Sequence, residues 1–230
     1  MMRVVLKIGG SLLYGDDGRL KTNTIREYAS VVRDFFLKGN RIALVVGGGK
    51  AAREFVTAAR ELGANESQCD WLGIKMARHN AELMIVALGE SAYPSVPETL
   101  EEFERALCSD RIVVMGGLTP GQSTNAVAAL TAEVMGAEKL LNATNVDGVF
   151  DRNPREPGAK ILHTLSVEEL NSILTHTGVR AGEYELFDPV AIRIIARSRI
   201  RTVIFNGTVI ENLRRALAGE SVGSVVTGGS

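Results

Sequence analysis

The sequence predicts an α/β fold in which a mostly parallel sheet is covered by helices on both faces. Apolar, β-branched stretches recur along the chain, each running through glycines into a helical pattern, as strand–turn–helix units do. Glycine is over-represented, at 24 of 230 residues, about a tenth of the chain against a usual share of ~7%. Those glycines concentrate in the turns. The hydrophobic fraction of 45% beside a charged fraction of 23% excludes a disordered or fibrous protein.

Arg3 to Ile8 reads as the first strand, with Gly9-Gly10-Ser11 as its turn and a helix from about Asn23 to Leu37. Arg41 to Val46 is the second strand, turning at Gly47-Gly48-Gly49 into a helix from Lys50 to Leu62. Asn65 to Leu88 carries a long helical pattern of Trp71, Leu72, Ile74, Met76, Leu83, Met84 and Val86, with Arg78 and His79 between. Ile112 to Met115 is a third strand, followed by Gly116-Gly117-Leu118-Thr119-Pro120-Gly121 and a helix from about Asn125 to Met135. Lys139 to Ala143 leads into Thr144-Asn145-Val146-Asp147-Gly148, and Arg201 to Phe205 is a late strand before a short helix. The strongest break is the loop from Asp151 to Gly158, with Pro154 and Pro157. No linker-like tract separates independent domains, so the chain is expected to be one domain, residues 1–230, with lobes of about 1–138 and 139–230.

Twenty-six basic residues face twenty-seven acidic ones, for a formal net charge of -1. A dedicated nucleic-acid binder would show a basic excess, and none exists. No apolar run approaches the roughly 18 residues needed to cross a bilayer, and the first residues read as a strand rather than a signal peptide. No membrane partner is therefore expected, and the location is expected to be cytoplasmic. Cys69 and Cys108 have no metal-ligand spacing, and His79, His163 and His176 are scattered. No protein metal site is expected.

A glycine-rich turn between strand and helix lets the backbone approach a ligand and aims N–H groups at it, while the helix N-terminus adds partial positive charge; such turns suit phosphates. Lys7, Lys50 and Arg53 stand beside two of them. Each turn alone is also what an ordinary tight turn looks like. Several in one parallel sheet would gather at the carboxyl edge, where open α/β sheets bind ligands. The spacings fit neither the Walker A pattern, since Ala51 follows Lys50, nor the dinucleotide fingerprint. Residue chemistry alone thus reaches a phosphate-handling α/β enzyme.

Three motifs together resemble the amino acid kinase superfamily and, within it, the archaeal type of uridylate (UMP) kinase: Lys7-Ile8-Gly9-Gly10-Ser11, Val45-Val46-Gly47-Gly48-Gly49-Lys50-Ala51-Ala52-Arg53 and Thr144-Asn145-Val146-Asp147-Gly148-Val149-Phe150. Supporting pieces are Cys69-Asp70, Val114-Met115-Gly116-Gly117, Pro120-Gly121-Gln122-Ser123-Thr124, Asp188-Pro189 and Ile194-Ile195-Ala196-Arg197-Ser198. The resemblance covers almost the whole chain. It implies a three-layer αβα sandwich with a mainly parallel central sheet, assembly as a homohexamer, and transfer of the γ-phosphoryl group of ATP to UMP with Mg2+. By the same resemblance, Lys7 would be the catalytic lysine. Gly9, Gly10, Ser11, Gly49 and Arg53 would contact the phosphates of ATP, and Thr144, Asn145, Phe150 and Asn153 would line the adenosine pocket. Gly48, Asp70, Leu118, Thr119, Pro120, Gly121, Gln122, Ser123 and Thr124 would form the UMP site.

Each residue also has a plainer reading. Lys7 would otherwise be a solvated strand-end lysine, and Arg53 a partner of Glu54 or Glu61. Asp70 would be an ordinary polar helix residue, and Phe150 core. Arg193, Arg197, Arg199 and Arg201 read as a solvated or subunit-contact face. The Trp71 stripe reads as packing or, where it faces outward, as a subunit interface. The chain departs from the family pattern in three places. Asn125 and Asn153 stand where aspartates are expected, and Lys7 stands where archaeal relatives often carry an uncharged or acidic residue. The rivals are other kinases of this fold, acting on isopentenyl phosphate, acetylglutamate or carbamate, and a non-catalytic nucleotide-binding assembly protein. Isopentenyl phosphate enzymes tend to place a histidine near the acceptor phosphate, and none occurs in Gly47 to Arg53 or Gly116 to Asn125.

Overall fold

The computed structural model describes residues 1–152, 156–176 and 187–228. Strand β1 (Arg3–Ile8) enters a short 3-10 turn at Gly10–Leu13, and α1 (Thr22–Leu37) returns the chain to β2 (Arg41–Val46). Helices α2 (Gly49–Glu61), α3 (Glu66–Leu88) and α4 (Leu100–Leu107) precede β3 (Val113–Met115). Helix α5 (Thr124–Met135) leads to β4 (Lys139–Thr144), and a two-residue ribbon of β5 (Val149–Phe150) and β6 (Ile161–Leu162) follows. The remainder is β7 (Thr164–Ser166), α6 (Val167–His176), α7 (Pro189–Ser198), β8 (Arg201–Asn206), α8 (Ile210–Ala218) and β9 (Ser224–Thr227).

The main sheet has the order β3-β2-β1-β4-β8-β9-β7. Its pairs are parallel except β8 with β9. The central register sets Lys7 opposite Val45 on one side and Asn142 on the other. Each strand alternates its side chains between two cores, as a period of two requires. Val4, Leu6, Ile8, Leu44 and Phe205 pack beneath α1, α3 and α8, while Val5, Val45, Leu140 and Ile204 pack beneath α4, α5, α6 and α7. The result is the expected three-layer sandwich, with a mainly parallel sheet and both faces buried.

Local chemistry explains where the helices begin. Asn65 caps α3 in a capping box with Gln68, and Thr99 caps α4 by accepting from the Glu102 N–H. The Ser123 hydroxyl oxygen accepts from Asn125 and Ala126 at the start of α5, and Asp188 caps α7 with Pro189 in its first turn. Helix α2 differs: Gly48 precedes it and no side chain caps it. The antiparallel strand β9, the β5–β6 ribbon and α4 are elements the repeated strand–glycine–helix pattern did not predict.

Candidate functional site

Because β1 to β4 run in parallel, their glycine turns share one edge of the sheet. The Gly47 N–H donates to the Ile8 carbonyl at 3.0 Å, and the Gly9 N–H donates to the Ala143 carbonyl at 2.9 Å, tying the turns after β2 and β1 to their neighbours. A Cβ on Gly10 would lie 2.1 Å from the Gly49 nitrogen and 2.6 Å from the Gly47 oxygen, so only glycine permits this contact. Gly49 has a φ of +69°, which also favours glycine. Thr124, at the head of α5, sends its Oγ1 to within 3.4 Å of the point a Cβ on Gly47 would occupy. Lys7, Gly9, Gly10, Ser11, Gly48, Gly49 and Thr124 are thus brought together.

The edge is rich in donors. The N–H groups of Gly10, Ser11, Gly48, Gly49 and Lys50 have no protein acceptor among the described residues. The uncapped start of α2 adds its dipole. Gly9 is different, since its N–H is committed to Ala143; it contributes closeness, not a donor. The Lys7 ammonium stands 3.8 Å from the point above Gly9 where a Cβ would be. Burial by the surrounding protein lowers its pKa from 10.5 to about 8, and no ion pair to it occurs among the described residues. Beside it, the Asn142 amide faces the Asn125 carbonyl oxygen at 3.5 Å within the core. A confined cation, helix N-termini and open N–H groups are a donor set of the kind that suits phosphate anions.

Helix α3 builds the neighbouring wall. Asp70 accepts from the Gly121 N–H at 2.8 Å, leaving its other carboxylate oxygen uncommitted to that bond. Leu118 is buried, Thr119 and Gly121 are exposed, and the Gln122 N–H closes a turn on the Thr119 carbonyl at 3.3 Å. Pro120 lies inside that turn. The Gln122 Oε1 is a buried acceptor without a hydrogen-bond partner among the described residues. The Ser123 hydroxyl donates to Asp188, joining the loop to α7. The residues expected for the acceptor therefore form one continuous wall from Asp70 to Thr124.

The residues expected for the other nucleotide are more spread out. Thr144 ends β4 one residue beyond the Ala143 carbonyl that holds Gly9, and its Oγ1 lies 3.4 Å from Asn145 Oδ1. Phe150 is half-buried in the β5–β6 ribbon opposite Ile161, so it is not simply core. Asn153 lies outside the described residues. Arg53 is exposed on α2, with Lys50 along the same open cleft of about 450 Å³, and pairs with neither Glu54 nor Glu61. Lys50 itself donates to the Asp16 carbonyl at 2.8 Å. Of the arginine cluster, Arg197 pairs with Glu133.

Two residues at the site escaped the sequence reading. Asn80 is buried and donates to the Gly47 and Gly48 carbonyls at 2.8 and 3.1 Å, while accepting from the Tyr14 hydroxyl at 2.8 Å. Arg78 donates to the Gly117 and Leu118 carbonyls. Their trace in the sequence is polarity within a buried stripe: Asn80 sits among Ala77, Ala81 and Met84, where an apolar residue would be the default.

Residues 2–206 match the description of the amino acid kinase family. A uridylate kinase of Methanothermobacter thermautotrophicus is 44% identical over 226 residues, covering 98% of this chain and 99% of that one. The crystal structure of a uridylate kinase from Archaeoglobus fulgidus superposes with a TM-score of 0.86 at 42% identity, covering 98% of this chain and 100% of that one. A UMP kinase structure from Bacillus anthracis, at 21% identity, shares the fold with a TM-score of 0.85, covering 99% of this chain and 96% of that one.

Proposed function

The chain belongs to the amino acid kinase family, and from that membership and its likeness to uridylate kinases we infer that it transfers the γ-phosphoryl group of ATP to UMP, giving ADP and UDP. One observation carries this reading. Identity of 44% to a uridylate kinase extends over 98% of the chain, through the acceptor wall as well as the glycine turns.

The geometry suits the chemistry. Phosphoryl transfer needs two phosphates held in line and their charge neutralised, with little covalent help. Lys7 and the open N–H groups of Gly10, Ser11, Gly48 and Gly49 would supply that positive environment. The UMP phosphate is ionised at neutral pH, so no general base is required. Asp70 would accept from the ribose hydroxyls and Leu118 to Thr124 would hold the uracil, with Gln122 Oε1 an acceptor still to be matched. On the ATP side, Gly9 would provide close approach and Arg53 charge, while Thr144, Asn145, Phe150 and Asn153 would line the adenosine pocket.

Magnesium enters with ATP as part of the substrate. The described residues present no cluster of three or more His, Cys, Asp or Glu side chains, and Mg2+ in kinase sites keeps several waters and takes phosphate oxygens as ligands. When bound it would neutralise charge on the β- and γ-phosphates.

We further propose one domain with an acceptor lobe of about residues 1–138 and an ATP lobe of about 139–230, assembled as a homohexamer in the cytoplasm. Self-association is supported by large apolar side chains left exposed on or beside α2 and α3, where Phe55 is 55% exposed, Leu62 88%, Trp71 41% and Val86 78%. No helix among the described residues is long and apolar enough to cross a membrane.

The test is ADP release from ATP and magnesium with UMP, CMP, dTMP, AMP or isopentenyl phosphate as acceptor. Strong preference for UMP is expected. Preference for isopentenyl phosphate, or ATP binding without turnover of any acceptor, would overturn the reading.

A further inference from the structure

The loop from Gly116 to Thr124 is tied to α3 at two points. Near its end, Asp70 accepts from the Gly121 N–H. At its start, the Arg78 guanidinium donates through Nε to the Gly117 carbonyl at 3.0 Å and through Nη2 to the Leu118 carbonyl at 3.2 Å. The third nitrogen, Nη1, reaches Glu98 Oε2 at 2.5 Å. The Arg78 side chain is 13% exposed against 61% for Glu98, so the arginine is enclosed while its carboxylate partner faces water. Behind the loop there is no slack: a Cβ on Gly116 would lie 2.7 Å from the Arg78 Cα, and one on Gly117 3.0 Å from the Ile74 Cα.

We propose that Arg78 is a positioning residue for the phosphate acceptor, fixing the backbone at Gly117 and Leu118 and so setting the orientation of the wall that receives it. This rests on the reading of Leu118 to Thr124 as the acceptor site. The two carbonyls are held from the side by a planar fork. A point-like ammonium on a lysine stem cannot serve both of them and Glu98 at once. Without the fork, Gly117 and Leu118 lose their charge-assisted bonds and the loop keeps only its far-end ties, Gly121 to Asp70 on α3 and Ser123 to Asp188 on α7, so its first half is free to shift about that end. The glycine cradle would keep its shape, because Asn80, not Arg78, holds the Gly47 and Gly48 carbonyls. The effect should therefore fall on the acceptor and spare ATP.

The experiment uses the full chain and its Arg78→Met, Arg78→Lys and Glu98→Gln variants. The KM for UMP is measured at saturating ATP and the KM for ATP at saturating UMP. Arg78→Met should raise the KM for UMP by about tenfold to hundredfold, while the KM for ATP stays within about twofold. Arg78→Lys should fall between wild type and Arg78→Met, and Glu98→Gln nearer wild type. An unchanged KM for UMP, or a parallel rise in both constants, would overturn the proposal. If Arg78→Met does not fold, the lysine and glutamine variants read the same split. Wild-type turnover of a different acceptor would refute the UMP reading alone, and the split is then read with that acceptor. If nothing turns over, titration calorimetry with UMP on the same variants gives the corresponding ratio of affinities.

Discussion

Replacing Lys7 with methionine should make the chain more stable and nearly inactive at once. Methionine keeps the unbranched stem and removes the charge, so packing changes little. A pKa lowered from 10.5 to about 8 corresponds to ~3 kcal/mol against the charged form in the folded chain. Lys7 retains partial solvent access, so ~2 kcal/mol is the working figure. At pH 7 that penalty is fully present, and Lys7→Met should raise the thermal midpoint by about 4–8 °C for a chain of this size. The sign with pH follows from proton counting. Between about pH 8 and 10.5 the unfolded chain holds a proton that the folded chain has released, so wild-type stability rises with pH across that window. The advantage of the variant should shrink in step. Turnover should fall by about a hundredfold or more, because the removed cation faces charge that builds up during transfer. In the wild type, kcat/KM for ATP should decline as pH passes about 8, and Lys7→Arg should extend the plateau, since guanidinium stays charged. Calorimetric melting from pH 7 to 10 beside a coupled ADP assay reads all of this. A lower midpoint for Lys7→Met at pH 7, or an advantage that does not change with pH, would refute the reasoning.

Gly10→Ala should fold but lose turnover by about a hundredfold, since its Cβ would press 2.1 Å from the Gly49 nitrogen and push the two phosphate turns apart; circular dichroism and the kinase assay separate the two effects. Asn80→Ala should cost about 2–4 kcal/mol in urea unfolding, because it strips partners from the Gly47 and Gly48 carbonyls and the Tyr14 hydroxyl at once. Val86→Lys should leave the monomer fold intact and reduce self-association in sedimentation velocity, as Val86 is 78% exposed on α3 beside the partly exposed Leu83.

How far the sequence could be read depended on the range of the interaction. Strands and helices such as Arg41 to Val46 and Asn65 to Leu88 announce themselves because apolar period and cap chemistry act within a few residues. Helix α4 carried a comparable local sign, Thr99 followed three positions on by Glu102, that the reading overlooked. The antiparallel β8–β9 pairing carried none, since nothing near Ser224 to Thr227 states which strand they will join. Within the candidate site, the glycine turns were legible from their placement between strands and helices, while Lys7 and the stretch from Leu118 to Thr124 were singled out by motif resemblance. Arg78 and Asn80 remained hidden because their partners are backbone carbonyls dozens of positions away.

The sequence by itself determined the parallel architecture, the phosphate-suited turns and, through motif resemblance, the family. Those follow from local conformational preference and from the order of short motifs. Only the tertiary structure decided that the Gly9 N–H is spent on Ala143 while those of Gly10, Ser11 and Gly49 find no acceptor among the described residues, that Gly10 lies against Gly49, and that α3 holds both the glycine turns and the loop from Gly116 to Thr124. It also left Lys7 confined, with no ion pair among the described residues. Hydrogen-bond commitment and desolvation are set by groups that meet only when distant segments pack, so no spacing along the chain records them.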